Sequence, residues 1–160
     1  MKIRIFTDGA CLGNPGPGGW AAVFNSENKC STISGNEKMT TNNRMELKAV
    51  IEAFKKILKS RKINEYELYS DSAYVVNSIN NDWINKWRQN NWKTTKGDDV
   101  KNKDLWSQFL MLEDLARSNG IHITIIKIKG HVGNTFNELV DKLAKEESAK
   151  AKEKEGACND

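Results

Sequence analysis

Asn43-Arg44-Met45-Glu46-Leu47-Lys48-Ala49-Val50-Ile51-Glu52-Ala53-Phe54-Lys55-Lys56-Ile57-Leu58-Lys59-Ser60 and, after a short connection, Tyr66-Glu67-Leu68-Tyr69-Ser70-Asp71 form the stretch on which the fold turns. Leu47, Val50, Ile51, Phe54 and Leu58 stand at offsets 0, 3, 4, 7 and 11, the stripe of an amphipathic helix ending near Ser60. Tyr66 to Asp71 then changes to strand-forming residues. A helix between two strands carries the chain back along a sheet, so the strand after it can lie parallel to one before it.

Upstream, Lys2 to Thr7 alternates around Ile3 and Ile5, Gly18 to Asn25 holds Trp-Ala-Ala-Val-Phe, and Lys29 to Gly35 mixes β-formers. The Gly/Pro/Asn cluster at 13–19 and the Asn-Ser-Glu-Asn patch at 25–28 separate them, which predicts three strands in an antiparallel meander. Downstream, Ser72 to Asn80 reads as a short helix, and Asn102 can cap a helix whose Leu105, Phe109, Leu112 and Leu115 face one side until Gly120. His122 to Lys129, rich in Ile, is a fifth strand expected to be buried for much of its length. A loop at Gly130 to Thr135 leads to a last helix from Phe136, with Leu139, Val140, Leu143 and Ala144 as its buried side. Past Glu147 the apolar stripe stops, so 1–147 is expected to be the domain and 148–160 a charged, flexible tail, the Lys/Glu/Ala mixture through Glu155 being a solvated helix end that frays into it. The order βββαβααβα predicts an α/β fold, a five-stranded mixed sheet flanked by helices, with strands 1, 4 and 5 parallel and strands 2 and 3 antiparallel.

The chain has 160 residues, 38% apolar and 29% charged, which suits one globular domain and excludes disorder for the bulk. No apolar run approaches the ~20 residues of a membrane span, and the longest uncharged stretch, Gly9 to Ser26, is broken by Gly and Pro. The N-terminus reaches an acid by Asp8 and lacks the apolar core of a secretory signal. Cys11, Cys30 and Cys158 form neither a disulfide framework nor a zinc motif, so a cytoplasmic protein with reduced thiols is expected. The net charge is only +4, but Trp83 to Gly97 carries Lys86, Arg88, Lys93 and Lys96 with no acid, so basicity is local.

Asp8 closes the first strand and Asp71 the fourth, on the rim where open α/β sheets bind ligands. Glu46 falls in the first turn of the long helix and Asp141 on the last helix. Each has a plainer reading: Asp8-Gly9 as a turn, Asn43-x-x-Glu46 as a capping box, Asp71-Ser72 as a cap, Asp141 as an i,i+4 partner of Lys145. Together the four suggest hard oxygen ligands for Mg²⁺, with Mn²⁺ as a substitute, and metal-assisted phosphoryl transfer in which two ions activate a water and stabilise the leaving oxygen.

Thr7-Asp8-Gly9-Ala10-Cys11 with Gly13-Asn14-Pro15-Gly16-Pro17-Gly18-Gly19, Thr41-Asn42-Asn43-Arg44-Met45-Glu46-Leu47, Tyr69-Ser70-Asp71-Ser72, and Lys129-Gly130-His131-Val132-Gly133 with Asn137-Glu138 and Asp141-Lys142-Leu143-Ala144 closely resemble type 1 ribonuclease H. The resemblance implies hydrolysis of the RNA strand of RNA/DNA hybrids with Mg²⁺, leaving 3′-hydroxyl and 5′-phosphate ends, and makes Asp8, Glu46, Asp71 and Asp141 metal ligands. It gives His131 a part in proton transfer or product departure, whereas His122, in a strand, reads as structural. It implies that Cys11, Asn14, Asn42 and Asn43 read the 2′-hydroxyl, and that Thr41 and Asn102 hold a phosphate of the DNA strand.

Trp83, Trp87 and Trp92 alternate with Lys86, Arg88 and Lys93; a helix at 82–89 packing Trp83 and Trp87 inward is the plain reading, with the bases facing out. The family's basic protrusion resembles this stretch followed by Val100 to Trp106, which makes Trp83, Lys86, Arg88, Lys93, Lys96, Asn102 and Trp106 substrate contacts. Ala73 stands where many bacterial relatives carry a Gln that touches a base edge. The reading is a monomeric, sequence-nonspecific endonuclease. A related integrase or transposase core would not need the Lys-Gly-His loop, and a binding module without catalysis would have lost an acid. Met1 directly ahead of the first strand sets the chain apart from the ribonuclease H segment of a reverse transcriptase.

Overall fold

Alternation along β1 (Ile3–Cys11) sends Ile5 to one side of the sheet and Phe6 to the other; in β2 (Gly16–Ser26), Ala22 and Phe24 join the first core and Ala21 and Val23 the second. The computed structural model describes residues 2–27, 29–60, 65–129 and 135–158, with side chains to 153. The larger core holds Leu47, Val50, Ile51 and Phe54 of α1 (Asn42–Ser60), Val75 and Val76 of α2 (Ala73–Asn80), Ile84 of α3 (Trp83–Gln89), and Leu105, Trp106 and Phe109 of α4 (Lys103–Ser118). The smaller core is closed by Val140 and Ala144 of α5 (Thr135–Cys158).

With β3 (Lys29–Thr40), β4 (Glu65–Ser70) and β5 (His122–Lys127), the strands form one sheet in the order β3-β2-β1-β4-β5. β1 pairs β2 and β2 pairs β3 antiparallel, while β1–β4 and β4–β5 are parallel, the topology expected from the order of elements. Among the described residues no helix is long and apolar enough to cross a membrane.

Two expectations about burial are corrected. In β5 only Ile125 is fully buried, because β5 is an edge strand with His122, Thr124 and Lys127 exposed. The end of the last helix is not solvated all round: α5 runs to Cys158, and Glu147, Ser148 and Ala151 are buried at the same helical spacing as Val140 and Ala144. The stripe continues in small and polar residues, and Gly19 is why they fit. A Cβ there would lie 2.5 Å from the Ala144 carbonyl oxygen and 2.6 Å from the Ser148 nitrogen. Gly19→Ala is therefore expected to push α5 off β2 at a cost of about 1–3 kcal/mol, measurable as a lower urea midpoint. An unchanged midpoint would show that helix and strand separate freely.

Candidate active site and nucleic-acid interface

Phe6 pairs with Tyr69 across β1 and β4, so two residues further on Asp8, still within β1 and paired with Ala21, and Asp71, just past the end of β4, stand at the same level. Glu46 comes to them from α1. The helix starts at Asn42, which puts Glu46 in its second turn rather than its first, and the start is capped by Thr41, whose Oγ1 accepts from the Arg44 N–H at 3.2 Å. Glu46 is thus free of capping work and turns into the protein, 5% exposed. Gly9 permits the approach, since a Cβ there would stand 2.4 Å from the Glu46 nitrogen. Ser72, not Asp71, caps α2, accepting from the Val75 N–H at 3.2 Å.

One oxygen each from Asp8, Glu46 and Asp71 lie within 4.8 Å of one another. Burial pushes the Asp8 carboxyl up from 3.8 to about 7; the Asp71 charge and a hydrogen bond with Asp141 add to this, while hydrogen bonds from Glu46 and the Gly9 N–H (2.9 Å) oppose it. Glu46 is raised well above the usual carboxylate range, first by burial and then by the Asp8 charge. Glu46 Oε2 is buried with no hydrogen-bond partner among the described residues. Three crowded oxygen donors, one of them an orphan, fit a divalent cation, whose charge relieves both the repulsion and the desolvation. Asp141 stands at the margin: its carboxylate reaches Asp8 but not the 4.8 Å group, and it pairs with Lys145 at 3.0 Å. His131 and the rest of 130–134 lie outside the described residues.

The polar residues expected to face a duplex come together beside this centre. Asn14 Oδ1 accepts from the Asn42 N–H at 3.0 Å, satisfying a free donor at the start of α1, and the Cys11 thiol donates to the Gly16 and Thr40 carbonyls at 3.4 Å. Asn42 and Asn43 are exposed on the first turn. Asn102 is not the cap the sequence suggests: it has φ 64° and its side chain makes no capping bond, turning instead to Tyr74 and Arg44.

Trp106 is a correction. It is fully buried, edge-on to Phe109 at 5.8 Å between ring centroids, and donates its Nε1 proton to the Tyr74 hydroxyl at 2.9 Å. It belongs to the stripe of α4 that faces α1 and α2, so it supports the fold and cannot touch a substrate. Trp83, packed inward on the plain helical reading and a substrate contact on the family resemblance, is 39% exposed; Ile84 fills the core in its place. With Lys86, Trp87, Asn90 and Lys93, Trp83 lines an open cleft of about 520 Å³. Lys93 pairs with Asp99, and Arg88 lies 3.9 Å from Asp114, so acids just past the run and on α4 temper its charge. The sequence reading gave no role to Tyr74 or to Arg44 and Asp104, which join at 3.0 and 2.7 Å; Arg44 and Tyr74 stand within or beside two of the quoted motifs, and that proximity was the available signal.

The RNase H family model matches residues 1–149. A ribonuclease H of Caldanaerobacter subterraneus is 49% identical over 92% of this chain and 92% of its own, and one of Acetivibrio thermocellus 47% identical over 96% and 99%. LC9-RNase H1, described as a type 1 RNase H with the type 2 active-site motif, superposes with a TM-score of 0.78 at 28% identity over 94% of this chain and 73% of its own. LC11-RNase H1, solved in complex with RNA/DNA hybrid, shares the fold with a TM-score of 0.68 at 24% identity over 93% and 98%. With a family model spanning nearly the whole chain and relatives this similar along their full length, the chain belongs to the RNase H family, in its type 1 branch.

Proposed function

We infer that this chain is an endonuclease that hydrolyses the RNA strand of RNA/DNA hybrids with a divalent cation, Mg²⁺ with Mn²⁺ as substitute, without strong sequence preference. The observation that carries the reading is the buried cluster of Asp8, Glu46 and Asp71 at the strand ends, beside the polar start of α1. Asp8, Glu46 and Asp71 would hold the ions, with Asp141 completing the set. When bound, two such ions supply water activation and stabilisation of the leaving oxygen. The chain's own contribution is recognition and positioning: Cys11, Asn14, Asn42 and Asn43 meet the minor groove and its 2′-hydroxyls, and Thr41 and Asn102 hold a phosphate of the DNA strand. Trp83, Lys86, Arg88, Lys93 and Lys96 grip the backbone further along. His131 would handle a proton or assist product departure. Such an enzyme works as a cytoplasmic monomer.

The test is cleavage of RNA/DNA hybrid, double-stranded RNA and double-stranded DNA, each with and without Mg²⁺, followed by analysis of the ends. Cutting of the hybrid's RNA strand alone, dependent on Mg²⁺ and leaving 3′-hydroxyl and 5′-phosphate ends, is expected. Equal cutting of double-stranded RNA, or cutting in chelator, would overturn the reading.

Replacing Lys86, Arg88, Lys93 and Lys96 together with Ala is expected to weaken hybrid binding and flatten its salt dependence. Losing two to four phosphate contacts would lower the log K against log salt slope by about 1.8–3.6; the pairing of Lys93 with Asp99 and of Arg88 with Asp114 favours the lower figure. Binding titrations across a salt series measure it, and an unchanged slope would make this stretch a solvated face.

A further inference from the structure

The side chain of Asn102 occupies the capping position of α4 yet does not cap it. An Asn there ordinarily accepts from a free helix N–H. Here its Nδ2 donates to the Tyr74 hydroxyl at 3.0 Å, and its Oδ1 accepts from Arg44 Nη1 at 3.3 Å. Arg44 is in turn fixed by both oxygens of Asp104, and its backbone N–H is taken by Thr41 Oγ1. The Tyr74 hydroxyl is anchored from below by the indole N–H of the fully buried Trp106. One chain of bonds therefore joins the starts of α1, α2 and α4, with Thr41 at one end and Asn102 near the other.

An amide held at both ends has a single orientation, so its second Nδ2 proton points one way. That leaves two aimed donors, this proton and the Thr41 hydroxyl, whose oxygen is already engaged by Arg44. We propose that Tyr74 is a positioning residue for substrate binding: its hydroxyl, seated on Trp106, orients the Asn102 amide toward a phosphate of the DNA strand. The proposal rests on the reading of Asn102 as a phosphate contact. Tyr74 itself does not touch substrate, and its effect passes entirely through Asn102.

The experiment is a double-mutant cycle of Tyr74→Phe and Asn102→Ala, read as kcat and KM on RNA/DNA hybrid, with melting temperature recorded for every variant. Tyr74→Phe keeps the ring and removes only the acceptor. It is expected to raise KM on the order of 3- to 10-fold, the worth of one oriented hydrogen bond, with kcat retained. Asn102→Ala should raise KM by at least as much, and adding Tyr74→Phe to it should change nothing further. Because Tyr74→Phe also orphans the Trp106 indole, Trp106→Phe is the control; it should lower the melting temperature and raise KM less than Tyr74→Phe does, because Asn102 keeps its acceptor. If Asn102→Ala binds hybrid like the parent, the phosphate reading of Asn102 fails. If Asn102→Ala weakens binding but Tyr74→Phe does not, the positioning role fails by itself. Additive effects in the cycle, or a Trp106→Phe protein with the same KM defect, would also overturn it.

Discussion

Asp8→Asn protein is expected to lose essentially all hydrolysis while melting at a higher temperature than the parent at pH 8 in the absence of a divalent cation. The activity loss follows, on the proposed function, from removing a charged group that would hold the cation at the centre of the acidic cluster, where cation catalysis would supply several kcal/mol of barrier lowering. The gain in stability follows from the Asp8 carboxyl, raised to about 7 in the fold against 3.8 for the free side chain. Between those values the folded state holds a proton that the unfolded chain has released, so stability falls as pH rises through the window and is flat above it. Asn removes that cost, on the order of 2 kcal/mol at pH 8. The groups that face Asp8 are Glu46, Asp71 and Asp141, with Lys145 paired to Asp141 on the same side. Mg²⁺ offsets the same cost in the parent, so it should raise the parent's melting temperature more at pH 8 than at pH 5, and the variant's less at either. Melting curves at both pH values with and without Mg²⁺ check this. A variant that melts lower than the parent at pH 8 without cation would show that Asp8 is not held in an unfavourable charged cluster, and one that keeps activity within about tenfold would overturn its part in holding the cation.

Trp106→Ala is expected to cost about 3–5 kcal/mol, the penalty for emptying a large buried aromatic site, which is a major part of the ~5–15 kcal/mol that holds a domain of this kind folded. The indole touches Tyr74, Trp87 and Phe109, and its loss also leaves the Tyr74 hydroxyl with one donor fewer. Urea denaturation followed by circular dichroism measures the loss. Hybrid affinity per folded molecule should fall no further than in the Tyr74→Phe protein, since Trp106 acts on binding only through Tyr74; an undiminished midpoint with weakened affinity would return Trp106 to the substrate surface.

Trp106 also shows where sequence reading reached its limit. The helix of 43–60, the meander before it and the parallel strands after it could be read because their apolar residues repeat at periods the backbone imposes, and the strand-end acids could be read because such positions bind ligands. Trp83 and Trp106 each stand three residues from a Lys, Lys86 and Lys103, and charge patterning cannot say which is buried. The helical period could have: Trp106 and Phe109 are three apart on the face that Leu105 and Leu112 share, whereas in α3 the inward position belongs to Ile84. The burial of the end of α5 escaped notice for the opposite reason. Its buried positions beyond Ala144 are Glu147, Ser148 and Ala151, too small or polar to register as an apolar stripe, and their fit depends on Gly19, a residue far away in the chain. The network around Tyr74 and the withdrawal of Asn102 from capping arise from the meeting of three helices, which no local pattern encodes.

The sheet ends in two open edges, β3 and β5, and an open edge is a template on which a second copy of the chain could add strands without limit. Both edges carry outward charge: Lys29 and Lys38 are exposed on β3, and Lys127 on β5 with His122 beside the strand start. A copy adding edge to edge would bring lysine against lysine. Polymerisation through the sheet is thereby opposed by the same strands that terminate it.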